Sequence, residues 1–432
     1  MALEAATVPT PRQFVVTQLK LLPWALLVGA GSSGVLLGVS RLEELVHHLL
    51  WQHLPGWLGV DPDDRWWILA VLTVIGLAVG LTVRCVPGHA GPDPATEGLV
   101  APPMPLYVLP GVLLATVLAL GGGVSLGPEN PITAVNIALA WWFGNRMLGS
   151  QDTRLWIGLG AAGTVGALFG TPVAAALILS EMLTSRAGLS LWDELLAPLA
   201  AGGAGALTTK LIAAPSLSLT VPAYRGFELV DLLSGTLVVL AAAGLAIAGA
   251  YAFPRLHRWF QSFPGPVWAL TAGGLLLGAL GAIGGQITLF KGLDQMKELV
   301  TGVSGFSNAQ LLLYMLVKLA ALVVAACCGF RGGRIFPAAF VGVALGCLAH
   351  GLVPGVPLGL AIGAGVLGTV VGVTRQGWLS LFMAVVVVGD LTLLPLLCVL
   401  VFPAWLLCVG SPPMLVVEQG AASAPAEAVA GS

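Results

Sequence analysis

One carboxylate, Glu129, stands in the stretch 127–131 (Gly-Pro-Glu-Asn-Pro), between long apolar segments that carry few charges. The glycines at 121–123 loosen the backbone ahead of it, and a proline in a first helical turn starts a helix well because its missing N–H would be unpaired there. The stretch therefore predicts a break in the backbone and a helix that begins near Pro131, at membrane depth. Such a helix start presents free N–H groups and a positive dipole end, which attract anions.

The depth of this carboxylate indicates a function. Irregular backbone inside a bilayer is tolerated only where it is packed in protein or lines a cavity, and an ionisable residue at that depth marks a functional site by default. We interpret Glu129 as a candidate functional residue at a helix start that attracts anions. The alternative that the sequence leaves open is a structural carboxylate that caps the helix.

The composition is that of an integral membrane protein. Of the 432 residues, 57% are hydrophobic and 9% are charged, whereas soluble domains carry roughly 25% charged residues. The net charge of −2 gives no basic footprint for nucleic acid. The 58 glycines and 29 prolines predict a bundle of close-packed and interrupted transmembrane helices, because small residues let helix backbones approach each other.

The chain divides into two membrane parts. We expect a loose N-terminus over residues 1–14, a first membrane repeat over 15–213, an inter-repeat loop at 214–227 and a second membrane repeat over 228–410. The tail, residues 411–432, is rich in Ala, Gly, Ser and Pro and is expected to be disordered. No soluble regulatory domain fits after the membrane part.

Positive charge predicts the orientation in the membrane. Arg12 and Lys20 precede the first apolar run, and Arg84 follows the second. The loop between these runs, 51–64, has one basic residue at its edge, Arg65. Because positive residues favour the cytoplasmic side, we expect a multi-pass protein of the cell (plasma or inner) membrane with a cytoplasmic N-terminus.

Two short patterns recur at nearly one offset. The stretch 127–131 has a counterpart in 333–337 (Gly-Arg-Ile-Phe-Pro), an offset of 206 (333 minus 127). The tripeptide Gly-Thr-Val at 163–165 recurs at 368–370, an offset of 205 (368 minus 163). Apolar segments interrupted by Gly and Pro at matching places in two halves are typical of an ion site at the interface between two repeats.

Together these motifs resemble those of the CLC family of chloride channels and chloride/proton antiporters. That family carries a GSGIP-like, a GREGP-like and a GxFxP-like motif at helix N-termini that converge on the anion path. In this chain residues 90–94 stand at the first motif, 127–131 at the second and 333–337 at the third. Residues 169–172 (Phe-Gly-Thr-Pro), in the helix that ends at Glu181, resemble the family's FNAP helix.

The resemblance covers most of the chain, about residues 15–410, and is closest to a divergent prokaryotic, ion-channel-like branch. It implies an all-α polytopic membrane protein: a homodimer in the lipid bilayer, with inverted repeats whose interrupted helices meet at a mid-membrane anion site in each subunit. It makes Glu129 the gate, which occupies the anion path and moves away when protonated, and Glu181 a candidate for a proton path. Backbone or nearby groups of the remaining motif residues would bind the anion: Gly91, Pro92, Pro128, Asn130, Pro131, Arg334, Ile335 and Phe336.

The chain departs from the family pattern at several positions. Gly91 replaces the serine whose hydroxyl binds chloride in many members, and Asp93 lies in the same motif. Met182 stands where antiporters carry an inner glutamate, next to Glu181. The sequence therefore leaves two modes of transport as alternatives, a channel and a proton-coupled antiporter. Asp390 is expected to be buried and paired with a basic residue.

Three functions compete for this sequence. The first is transport of small inorganic anions, with chloride as the leading substrate and fluoride or another anion as alternatives. The second is an organic-solute transporter on the same scaffold, which would need a larger cavity. The third, a membrane-embedded enzyme, has little support because no Ser/His/Asp set, HExxH motif or cysteine nucleophile setting is present. The six cysteines lack zinc spacing, so we expect no cofactor and no metal.

Overall fold

The computed structural model describes residues 10–182, 190–213 and 217–416. Over these residues the protein is a bundle of α-helices with one isolated antiparallel β-bridge. Eight helical segments in the described ranges are long and apolar enough to cross a membrane. The all-α polytopic fold predicted from the sequence is therefore confirmed.

The helices follow the predicted apolar runs. The first half contains α1 (Pro11–His48), α2 (Leu54–Leu58), α3 (Arg65–Cys85), α4 (Leu109–Gly121), α5 (Glu129–Leu148), α6 (Thr153–Phe169), α7 (Pro172–Met182) and α8 (Leu191–Ile212). The second half contains α9 (Leu229–Gln261), α10 (Pro266–Gly284), α11 (Leu293–Thr301), α12 (Asn308–Cys327), α13 (Ile335–Leu352), α14 (Leu358–Thr374), α15 (Gly377–Val388) and α16 (Leu394–Cys408).

Glycines bring helices of the two halves into close contact. Helix α3 packs against α10, and a Cβ atom at Gly76 would overlap the carbonyl oxygen of Leu270. In the same way, a Cβ atom at Gly274 would overlap the carbonyl oxygen of Leu72. Packing of this kind stabilises helix pairs in a bilayer, where no hydrophobic difference between lipid and side chain drives association.

The two helices that follow the second and third motifs start in the same way. The backbone turns at Gly123 (φ 101°) ahead of α5 and at Gly329 (φ 100°) ahead of α13. Both values lie in the left-handed region that glycine adopts without strain. Each turn leads into a buried irregular segment, and the β-bridge between Gly127 and Gly333 joins the two segments. Both helices therefore begin inside the protein and run outward.

Several boundaries differ from those expected. Helix α1 begins at Pro11, so residues 11–14 are helical because Thr10 and Gln13 form a capping box; residues 1–9 lie outside the described ranges. At the other end, residues 411–416 are ordered and Met414 is fully buried, whereas 417–432 lie outside those ranges. Of the inter-repeat loop, residues 217–227 follow an extended path on the bundle.

Candidate functional site

The second and third motifs meet head to head. The N–H of Gly127 donates to the carbonyl oxygen of Gly333 at 2.8 Å, and the N–H of Gly333 donates back to Gly127 at 2.6 Å. Helix α5 begins two residues after this bridge at Glu129, and α13 begins two residues after it at Ile335. The positive dipole ends of two helices from different halves therefore lie beside each other.

Glu129 lies between these helix starts and is fully buried. Its Oε1 accepts a hydrogen bond from the Ile335 N–H at 2.6 Å, and the N–H of Phe336 also lies near the carboxyl group. Its Oε2 has no hydrogen-bond partner among the described residues. Charge-assisted hydrogen bonds are worth about 1.5–3 kcal/mol, so the bond to Ile335 holds the carboxylate against the N-terminus of α13.

Glycine at both ends of the bridge leaves space for the Glu129 carboxyl group. A Cβ atom at Gly127 or at Gly333 would overlap the carboxyl group of Glu129. The two glycines thus form a slot that the carboxyl group fills. This is a physical reason for glycine at these two motif positions, since a larger residue at either one would push the Glu129 carboxyl group out of its present position.

The first motif does not start a helix, which corrects the expectation that all three motifs do. Residues 88–91 instead form a run of positive φ values, from 52° to 84°, and the chain then makes turns until it reaches Leu106. Gly91 is half-buried and Pro92 is exposed. Asp93 accepts a hydrogen bond from the Ala95 N–H at 2.9 Å and stabilises one of these turns.

Arg331 explains why the first motif is irregular. Its buried guanidinium donates to the carbonyl oxygens of His89 (2.8 Å), Ala90 (2.7 Å) and Gly91 (3.0 Å). These hydrogen bonds stabilise the non-helical backbone of the first motif. Arg331 itself is buried in the protein.

Arg334 connects the third motif to the first. It is buried, its Nη2 donates to the carbonyl oxygen of Pro94 and its guanidinium lies over the ring of Phe253, 5.4 Å from the centroid. Its Nε has no partner among the described residues. Arg334 therefore places a positive charge close to Glu129 in the interior of the protein.

Two cavities lie beside Glu129. The smaller has a volume of about 40 Å³, and the larger has a volume of about 200 Å³. The predicted site residues that line the smaller cavity are Gly91, Pro92, Asn130 and Pro131. Those that line the larger cavity are Asn130, Arg334 and Ile335. The structure thus brings these residues together around two cavities that share Asn130, the residue next to Glu129.

The other predicted residues have different surroundings. Pro128 is buried and immediately precedes α5. Phe336 stacks on Phe169 of the FNAP-like segment, with ring centroids 6.0 Å apart. Glu181 lies at the surface, where its carboxylate accepts hydrogen bonds from the N–H groups of Gly377 (2.8 Å) and Trp378 (3.3 Å). It therefore caps the start of α15, and the side chain of Met182 is not in the described part.

Sequence reasoning missed a buried lysine. Lys318 of α12 is fully buried, and its Nζ donates to the carbonyl oxygens of Thr288 (3.1 Å), Leu289 (2.7 Å) and Phe290 (2.7 Å). The Phe290 N–H in turn donates to the Gly123 carbonyl at 3.0 Å. Lys318 thus supports the segment that leads to Glu129. The signal in the sequence was a single lysine within an apolar helix, which marks a functional or structural charge.

Comparisons with known proteins agree with this arrangement. A family model described as "Voltage gated chloride channel" matches residues 66–408. YfeO of Escherichia coli O1:K1 / APEC, whose name describes ion transport, is 51% identical over 395 residues, which cover 91% of this chain and 94% of YfeO.

Two solved structures share the fold. The crystal structure of a CLC-type fluoride/proton antiporter has a TM-score of 0.75 at 20% identity and covers 92% of this chain and 96% of its own. The structure of a slow cyanobacterial Cl⁻/H⁺ antiporter has a TM-score of 0.78 at 18% identity and covers 91% of this chain and 96% of its own.

Proposed function

Since the chain belongs to the voltage gated chloride channel family, we propose that it moves small inorganic anions across the membrane through a pore within each subunit. The observation that carries this proposal is the contact between the Glu129 carboxylate and the Ile335 N–H, 2.6 Å apart at the start of α13. A carboxylate held there occupies a position that suits an anion, because helix N-termini bind anions through their free N–H groups. Chloride is the leading substrate.

Glu129 acts as the gate in this proposal. While charged, it competes with the transported anion for the N–H groups of α13. Protonation removes the charge and weakens the hydrogen bond to Ile335, since bonds to a charged acceptor are about twice as strong as bonds to a neutral one. The side chain then leaves the slot between Gly127 and Gly333, and an anion takes its place.

The size of the two cavities favours a small substrate. Pockets for drug-sized organic ligands have volumes of roughly 300–1,000 Å³, and the cavities beside Glu129 measure about 40 and 200 Å³. We therefore favour inorganic anions over organic solutes as the substrates. Fluoride stays an alternative to chloride, because one similar structure is named a fluoride/proton antiporter.

Channel and antiporter are the two modes of this proposal. Both similar structures cited above are named antiporters, which favours coupling to protons. The Glu181 carboxylate accepts hydrogen bonds from the start of α15. This contact favours a role for Glu181 as a helix cap and not as part of a proton path. Measurement of proton movement separates the two modes.

The proposal also covers the location, the assembly and the internal repeats of the protein. We propose a transporter without enzymatic activity, in the cell (plasma or inner) membrane, as a homodimer with a cytoplasmic N-terminus. We also propose that residues 15–213 and 228–410 are two repeats. The matching turns at Gly123 and Gly329, again 206 residues apart (329 minus 123), support this division.

The test is chloride efflux from proteoliposomes with external pH recorded at the same time. The wild type is compared with Glu129→Gln and with Glu44→Gln, a control at an exposed carboxylate that pairs with Arg41 at the surface. We expect chloride efflux from the wild type and the control, and a changed pH dependence only in Glu129→Gln. Proton movement opposed to chloride indicates an antiporter, and its absence indicates a channel. A wild type that moves neither chloride, fluoride nor nitrate would contradict the proposal.

A further inference from the structure

Asn130 lies where the two cavities beside the gate meet. Among the residues that the structure describes, only Gly98 and Asn130 line both the smaller and the larger cavity. The Nδ2 of Asn130 donates a hydrogen bond to the carbonyl oxygen of Gly98 at 3.4 Å. This contact joins the start of α5 to the irregular segment that follows the first motif, and both of its residues belong to the walls of both cavities.

The hydrogen bond between Asn130 and Gly98 can break easily. Its length of 3.4 Å exceeds the usual range of about 2.7–3.2 Å for N–H···O bonds, so it is weak. Asn130 is only half-buried, which means that water can replace the bond at low cost. The smaller cavity has room for about three water molecules if each needs roughly 10–15 Å³, so it is large enough for a small ion.

The two cavities have different charged residues in their walls. Glu97 and Arg331 line the smaller cavity, whereas Arg334 and Ile335 line the larger one. Ile335 supplies the N–H that binds the Glu129 carboxylate. An anion that moves between the cavities therefore passes the Asn130 amide, which can donate hydrogen bonds to it after leaving Gly98.

We infer that Asn130 is a second barrier to the anion, beside the Glu129 gate, and that its side chain opens the passage between the two cavities by releasing the Gly98 carbonyl. This inference rests on the proposed transport of small anions and adds a residue that controls it. Asn130 acts as a neutral donor, so its removal opens the passage without adding a charge.

The experiment compares Asn130→Gly with Asn136→Ala in the Glu129→Gln background, where the charge of the first gate is gone. Asn136 is the matched control because it lies on the same helix and its amide donates to Ser32 and Thr164, which line neither cavity. Chloride, fluoride and nitrate fluxes are measured, together with the thermal stability of each variant and a structure of the Asn130→Gly variant.

We expect Asn130→Gly to raise anion flux at least threefold and to join the two cavities, while Asn136→Ala leaves flux within twofold. Asn130→Asp, which keeps the size but replaces the donor by a negative charge, should lower the flux. Cavities that stay separate in Asn130→Gly, or a flux that does not rise in a stable variant, would overturn the inference. Silence of both the wild type and the Glu129→Gln parent toward all three anions would instead overturn the proposed function, and the structure of Asn130→Gly would still show whether the side chain separates the cavities.

Discussion

Replacement of the buried Lys318 by methionine tests the most unusual interaction near the site. Methionine keeps a similar chain length but removes the ammonium group that three carbonyl oxygens share. A buried carbonyl left without a partner costs about 1–3 kcal/mol, so three of them cost roughly 3–9 kcal/mol. Removal of a buried charge also relieves a desolvation penalty of several kcal/mol. We expect a net destabilisation of about 3 kcal/mol.

The assay is thermal unfolding in detergent. At about 2.1 cal/mol/K per residue, unfolding of the 432 residues carries an entropy near 0.9 kcal/mol/K, so Lys318→Met should lower the Tm by about 3 °C. Lys297→Met is the control, because Lys297 is half-exposed and pairs with the exposed Asp294 at 3.5 Å. Surface pairs of this kind contribute about 0–1 kcal/mol, and the Tm of the control should stay within about 1 °C.

One result would refute this reasoning. If Lys318→Met is as stable as the wild type or more stable, the cost of burying the ammonium group exceeds the value of its three hydrogen bonds and of its contact with the Phe340 ring, 5.0 Å away. Anion flux gives a second measurement. Because Lys318 supports Phe290, and Phe290 binds Gly123, the destabilised variant should also transport more slowly.

Three further predictions concern single side chains. Glu181→Gln removes a charged cap from α15, so we expect a loss of about 1 kcal/mol in stability with unchanged proton movement per anion; a loss of proton movement alone would assign Glu181 to the proton path. Hydrogen bonds, above all from the Thr392 side chain, hold the pKa of Asp390 below its ordinary range. The stability they give is present above the ordinary pKa of about 3.9 and is lost as the pH falls through the lower folded value. Thermal melts of the wild type and Asp390→Asn should therefore converge toward acid pH, and a constant gap between them would contradict the prediction. Gly333→Ala places a Cβ atom in the space of the Glu129 carboxyl group, so its flux should resemble that of Glu129→Gln; a wild-type pH dependence would speak against this.

The sequence was informative wherever the physical cause is local. Glycine and proline interrupt apolar runs, so the breaks before α5 and α13 could be predicted from residues 121–131 and from their counterpart 206 residues later. Likewise, the apolar runs were long enough to predict the spanning helices, and the break at Gly170 between α6 and α7 follows from a glycine with φ of 68° and the proline at 172.

The partners of individual polar side chains could not be predicted. Arg331 binds carbonyl groups 240 to 242 positions away, and this contact replaces the helix start expected at the first motif. Asp390 was expected to be buried beside a basic residue, but it is half-exposed and accepts hydrogen bonds from the Tyr224 and Thr392 N–H groups. Neither outcome follows from hydrophobic periodicity, since periodicity indicates which face is buried and not which polar partner lies there.

The contact between Glu129 and Ile335 has a consequence for how the protein is made. The two residues are 206 positions apart, and ribosomes add about 5–20 residues per second, so the carboxylate is synthesised roughly 10 to 40 s before its partner N–H. During that interval the first half holds an acidic side chain at membrane depth without the helix end that later binds it. Because an unpaired charge is costly in the bilayer, the nascent chain must keep Glu129 protonated or hydrated until the second half inserts. The contact between Glu129 and Ile335 can therefore form only after the second half has been inserted.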